Sequence, residues 1–222
     1  MELPPTGLDN LRLAVSPGAD VAGAVRLQGE QGKSEFNPAQ LRVRLQSQEY
    51  DAGSSVGSLT PEGRFTFKTV RPAGYDAFLV SLPESLYLKS VQFEKQETIN
   101  TGFEASEPRS YHLDLVVSGD GAQLEGTVAD REGHPCAGAT VLLVPADPAL
   151  RKAQRLYKTA TTAHDGKYAM KGIPPGSYRL YSWEEIEPGI WFEPDFLAPY
   201  EKKAAPISLE PNDRKTTDLK LF

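Results

Sequence analysis

Apolar and polar residues alternate in short runs along most of the chain. The clearest run is Leu41-Arg42-Val43-Arg44-Leu45, with aliphatic residues on one face and arginines on the other, the period of a half-buried strand. Val21, Val25 and Leu27 share a face of Val21–Leu27, and Phe65 and Phe67 share a face of Arg64–Lys68. Tyr75–Leu82, Tyr87–Phe93, Tyr111–Val117 and a weaker Leu11–Val15 bring the number of predicted strands before Ser118 to about seven, as a small sandwich requires. Turn residues separate them: the polar loop Gly29–Gln40, a Gly/Ser-rich turn at Gly53–Gly57, Pro61-Glu62-Gly63, and Arg71-Pro72-Ala73-Gly74. Residues 1–19 form a Pro- and Gly-rich lead-in.

After the short polar boundary Ser118-Gly119-Asp120-Gly121 the order repeats. Val25 and Val128, Gly63 and Gly166, and Tyr75 and Tyr178 each lie 103 residues apart; between Val43 and Val141 the offset is 98, so loop lengths trade off within one framework. Two modules follow, residues 20–118 and 122–222. The second contains the densest stretch, Thr162–Trp183. Asp165-Gly166 makes a turn, Lys167–Met170 a strand, and Gly172-Ile173-Pro174-Pro175-Gly176 a bend closed by Gly176 at positive φ. In the next strand Tyr178, Leu180 and Ser182 share one face and Arg179, Tyr181 and Trp183 the other. Asp147–Leu156 has the composition of a short helix after Asp-Pro, Glu184–Pro199 is a long connection, and Ile207–Leu209 and Thr217–Leu221 read as closing strands.

Composition supports an all-β chain. Among 222 residues there are 19 Gly and 18 Pro, spread along the chain as frequent turns demand. The net charge is −6 with no basic stripe, which argues against a nucleic-acid partner. No apolar run approaches the ~20 residues of a membrane-spanning helix. Met1–Pro5 lacks the basic and apolar regions of a signal peptide. Cys136 is the single cysteine, so no internal disulfide forms.

The residues of the second module carry a resemblance. Leu124-x-Gly126-x-Val128-x-Asp130-x-x-Gly133-x-Pro135-x-x-Gly138-Ala139-x-Val141, then Asp165-Gly166-x-Tyr168 and Ile173-Pro174-Pro175-Gly176-x-Tyr178, resembles the carboxypeptidase regulatory-like domain. The resemblance implies two tandem seven-stranded Greek-key β-sandwiches of the transthyretin-like, carbohydrate-binding-like fold, related also to collagen-adhesin B-type repeats. The first copy is looser, with Pro61-Glu62-Gly63 in place of Asp-Gly and Arg71-Pro72-Ala73-Gly74 in place of Pro-Pro-Gly. The motif glycines and prolines are turn makers and transfer no catalytic residue. The resemblance further implies a periplasmic, cell-surface or secreted location in bacteria, and domains that often accompany a peptidase or an outer-membrane transporter.

Enzyme chemistry finds little footing. His112, His134 and His164 are widely spaced and no His-x-x-Glu occurs, so no metal site is expected. Asp165-Gly166 lacks the stacked carboxylates of a calcium loop, Gly53-Ser54-Ser55-Val56-Gly57 has the Gly-x-Ser-x-Gly spacing but reads as a Gly/Ser-rich turn, and no Cys/His pair suggests a nucleophile. The Lys–Asn isopeptide bonds of the related adhesin repeats lack their residues here: Arg26 stands on the first strand and Thr217–Leu221 has no Asn. No catalytic residue and no cofactor is expected.

One cluster has no counterpart in the first module: Trp183, Glu184, Glu185, Glu187, Trp191, Phe192 and Tyr200. Both tryptophans of the chain are here, among carboxylates. Three readings stand. The aromatic residues fold back over the open end of the sandwich; or they contact a protein; or they stack on a sugar whose hydroxyls the acids bind. Glu184 and Glu187 as a glycosidase pair would need a cleft that so small a sandwich does not offer. The sequence thus predicts a non-catalytic, monomeric binding or scaffold protein whose partner is a protein or a glycan at the cell surface. Its alternatives are a carbohydrate-binding module working through residues 183–200, and the accessory part of a larger peptidase or transporter.

Overall fold

The computed structural model describes residues 17–49, 53–193 and 195–222. The predicted strand Leu11–Val15 and most of the lead-in lie outside the described residues. The chain is all-β. Its first half holds β1 (Ala19–Gln28), β2 (Arg42–Ser47), β3 (Ser54–Ser58), β4 (Arg64–Val70), β5 (Ala73–Val80), β6 (Tyr87–Phe93), β7 (Gln96–Glu97), β8 (Phe103–Ala105) and β9 (Ser110–Ser118). The second holds β10 (Ala122–Ala129), β11 (Thr140–Pro145), β12 (Lys158–Thr161), β13 (Lys167–Ile173), β14 (Gly176–Trp183), β15 (Ala205–Leu209), β16 (Arg214–Thr216) and β17 (Leu219–Lys220).

Four sheets pack as two sandwiches. In the first, β4-β1-β9-β6-β7 faces β3-β2-β5-β8; in the second, β13-β10-β16, with β17 also on β10, faces β12-β11-β14-β15. Alternation explains the layers: Val21, Val43, Leu45, Tyr75, Leu113 and Leu115 fill the first core, and Leu124, Val141, Leu143, Tyr178 and Leu180 the second. Each first strand pairs in parallel with the last, β1 with β9 and β10 with β16 and β17.

The 103-residue offset reaches down to single pairings. Ala19↔Val70, Val21↔Phe67, Gly23↔Phe65 and Ala24↔Arg64 in the first half correspond to Ala122↔Ile173, Leu124↔Met170, Gly126↔Tyr168 and Thr127↔Lys167 in the second, with an irregularity at the same place. The glycine shared at Gly23 and Gly126 has a steric cause. A Cβ would lie 1.7 Å from Leu113 O in one case and 1.9 Å from Thr217 O in the other. Both modules also tie a tyrosine hydroxyl to a carbonyl four residues back: Tyr75 Oη donates to Arg71 O at 2.9 Å, Tyr178 Oη to Pro174 O at 2.7 Å.

Several expectations shift. The Gly/Ser-rich turn at 53–57 is mostly strand β3, an edge strand on β2. Gly57 belongs there because the Phe67 ring would lie 2.9 Å from a Cβ. Asp147–Leu156 forms two short 3-10 turns, Pro148–Lys152 and Gln154–Leu156, the first capped by Asp147. The closing strand Thr217–Leu221 is broken, because Thr217 O accepts from Tyr168 Oη and Asp218 Oδ1 from Thr127 N–H. The strand count exceeds seven per sandwich through β7, β8 and β12, each four residues or shorter.

Candidate functional site

Between β5 and β8 the first half inserts β6 and β7, which extend the sheet of β1 and β9. Between β14 and β15 the second half inserts residues 184–204, which form 3-10 turns at Ile190–Phe192 and Ala198–Tyr200 and no strand. This segment packs on the outer face of the sheet containing β11 and β14. Leu142, Val144, Tyr181 and Trp183 point away from the sandwich core and join Leu197 and Ala204 in a separate apolar cluster. The continuous run Val141–Val144 is buried on both faces for this reason. The second sandwich thus carries a third layer.

The predicted site residues divide between the inside of that layer and its surface. Trp183 is 7% exposed, stacked on Tyr181 at 5.6 Å and 4° between planes, with the edge of Tyr200 at 5.3 Å. Tyr200 also packs on Phe196 and Phe222. Both rings are filling, and the Trp183 indole N–H finds no acceptor. Trp191 is half-buried in the same cluster, edge-on to Phe192 at 6.0 Å. Phe192, 41% exposed, leans on Tyr157 at 5.1 Å. Glu184, Glu185 and Glu187 are exposed, with no ion-pair partner among the described residues. The structure therefore gathers Trp183 with the half-buried Tyr200 and Trp191 in an apolar layer and leaves Phe192 and the three glutamates exposed.

Sequence reasoning missed what holds the layer down. Glu201, just after the second 3-10 turn, meets Arg151 Nη1 at 2.6 Å and Arg179 Nε at 3.3 Å, and Arg179 Nη1 donates to Glu201 O at 3.0 Å. Desolvation alone would lower the Arg151 pKa, but the hydrogen bond and charge of Glu201 outweigh it and raise the value. Burial, then the charge of Glu201, pushes the Tyr181 hydroxyl up to about 12, so it stays neutral. Arg179 was legible as an outward residue of β14; its partner twenty-two residues on was not.

His112 sits 3.1 Å from Asp114 and His134 3.1 Å from Asp130, while His164 is exposed. Among the described residues no three His, Cys, Asp or Glu side chains group as a metal site. Burial, then the charges of Asp130 and Glu184, pushes the Cys136 thiol up, away from the thiolate form a nucleophile needs. No described helix is long and apolar enough to cross a membrane.

The repeated register, the tyrosine ties and the Gly126 contact make the second sandwich specific enough to place. Residues 123–183 match the carboxypeptidase regulatory-like domain. No curated protein matches the chain in sequence. Among solved structures, a minor pilin of Streptococcus agalactiae is 11% identical with a TM-score of 0.40, the alignment covering 91% of this chain and 95% of that one. The major pilin subunit of Bacillus cereus is 8% identical with a TM-score of 0.31, covering 91% and 98%. The Bacillus anthracis TIE protein is 12% identical with a TM-score of 0.33; 90% of this chain is covered but only 33% of that one, so this chain spans about a third of its length.

Proposed function

We propose that the chain is a non-catalytic, monomeric scaffold of two β-sandwich modules, residues 20–118 and 122–222, which presents a binding surface at the bacterial cell envelope. The location follows from the resemblance to the carboxypeptidase regulatory-like domain over residues 123–183. One observation carries the binding role: exposed Phe192, Glu184, Glu185 and Glu187, beside the half-buried Trp191, lie on a layer that is itself packed on the sheet. Aromatic and charged groups on a supported loop are the makings of an interface. The burial of Trp183, and the packing of the half-buried Tyr200 against Trp183, Phe196 and Phe222, occupy two of the rings that a sugar platform would use, which favours a protein partner over a glycan.

The test compares wild type with Phe192→Ala and Trp191→Ala on arrays of envelope proteins and of glycans. Wild type is expected to bind a protein, with affinity falling about tenfold or more in Phe192→Ala at unchanged thermal stability. Binding confined to glycans, and lost in Trp191→Ala or Phe192→Ala, would establish the alternative. A wild type that binds on neither array would leave the chain a spacer and sink the binding reading.

A further inference from the structure

The two sandwiches meet along a seam, and the seam contains a cation without a counter-charge. Arg155, in the 3-10 turn Gln154–Leu156 of the second half, donates from Nη2 to the amide oxygen of Asn100 in the first at 2.5 Å. Its Nε is buried and has no acceptor. Asp76 and Glu97 attract it, but no carboxylate of the described residues pairs with it, and Asp76 already accepts from Gln48 Nε2 at 3.3 Å. Desolvation leads the effects on the guanidinium and lowers its pKa, opposite to the shift of ion-paired Arg151. A desolvated charge left unpaired is costly, and the remedy is a charge of opposite sign.

Beside Arg155 the seam opens into a cleft of about 460 Å³ walled by both halves, among them Gln46, Gln48, Asn100, Lys152 and Gln154. The volume lies in the ~300–1,000 Å³ range of small-molecule sites, which favour domain interfaces. Lys152, Arg155 and one acid, Asp76, line the cleft, so its lining carries a net positive charge in a chain of net charge −6. Its amides both donate and accept, which matches hydroxyl groups, and Phe78 and Ile99 add apolar surface. The cleft shares no residue with the aromatic layer around Trp183.

We infer that the cleft between the two sandwiches is a binding site for a sugar acid, whose carboxylate supplies the counter-charge that Arg155 lacks and whose hydroxyls meet the amides of Gln46, Gln48 and Gln154. Titration calorimetry on the full chain tests this with a galacturonate trisaccharide, neutral maltotriose and an oligoglutamate peptide as probes. The galacturonate is expected to bind one to one, at least tenfold more tightly than maltotriose, and to weaken at least tenfold in both Arg155→Gln and Lys152→Gln. Phe192→Ala, in the other surface, is expected to leave it unchanged. Arg155→Met provides a folding control: it removes the unpaired charge, so its melting temperature without ligand is expected to equal or exceed that of wild type, while galacturonate no longer raises it. Absence of galacturonate binding, equal binding of maltotriose, retention of affinity in Arg155→Gln, or preference for oligoglutamate would each overturn the inference.

Discussion

At Gly172 a side chain would both strain its own backbone and strike the other half of the molecule. The residue adopts φ 57°, a left-handed conformation that costs any other residue strain, and a Cβ there would lie 2.3 Å from Glu84 O of the first sandwich. The bend Gly172–Gly176 was legible from its glycines and prolines, but its sensitive position was not. Gly176, the expected one, does have a positive φ, 158°, which L side chains rarely adopt, but a Cβ there would meet only the Tyr178 ring at 3.4 Å. The deciding atom at Gly172 belongs to a loop nearly ninety residues earlier, which no local pattern encodes. Gly172→Ala is therefore expected to lower stability by ~2 kcal/mol or more, from backbone strain plus the collision with a carbonyl. Gly176→Ala is expected to cost less, ~1 kcal/mol, from backbone strain without a collision. Urea unfolding of the two variants decides it: equal losses would contradict the collision assigned to Gly172.

Among the elements, the strands were legible and the third layer was legible only in part. Period-two alternation placed β2, β4, β6 and β14 because each presents one face to a core. It missed β3 and β12, whose residues are mostly polar or small and which pair along β2 and β11. The alternation of β14 put Arg179, Tyr181 and Trp183 outward, and Val141–Val144 is apolar on both faces; together these required a cover. What supplies it is set by contacts at long range, with Tyr157 before the layer and Phe222 after it. Glu201 staples that cover to Arg151 and Arg179, with side chains a quarter to a third exposed. Partial exposure tempers the value of the ion pairs, yet removing the shared acid leaves two half-buried guanidinium groups facing each other. Glu201→Ala is expected to cost ~1–2 kcal/mol and to speed protease cleavage within residues 184–204. Unchanged cleavage in that segment would mean that the aromatic packing around Trp183 holds the layer without the staple.

At the scale of the whole molecule, the boundary at residues 118–121 read from sequence as a polar linker, and its composition says nothing of stiffness. In the structure Asp120 is fastened to both sides. Its carboxylate accepts from Tyr87 Oη at 2.7 Å, Ser118 Oγ at 2.5 Å and Lys89 Nζ at 3.2 Å, all in the first half, while its carbonyl accepts from Asn212 N–H of the second at 2.7 Å. Burial alone would raise the carboxyl pKa, but the hydrogen bonds from Ser118, Tyr87 and Lys89 outweigh it and hold it below the usual range. Tyr87, its own pKa raised by burial and then by Asp120, remains a neutral donor. A carboxyl depressed in the folded state contributes its full stability above its unfolded pKa of about 3.9 and loses it as pH falls through the lower folded value. The joint is accordingly expected to hold unchanged from neutral pH down to about pH 4 and to loosen below it. Asp120→Asn keeps the size of the side chain and its carbonyl oxygen but removes the charge, so the acid-dependent share disappears and the loosened joint is present already at pH 7. Calorimetry of the full chain is expected to give one coupled transition for wild type at pH 7 and two resolved transitions for Asp120→Asn, with wild type approaching the variant only below pH 4. If wild type and variant melt alike at pH 7, Asp120 does not couple the sandwiches, and the Gly172 and Arg155 contacts carry the joint.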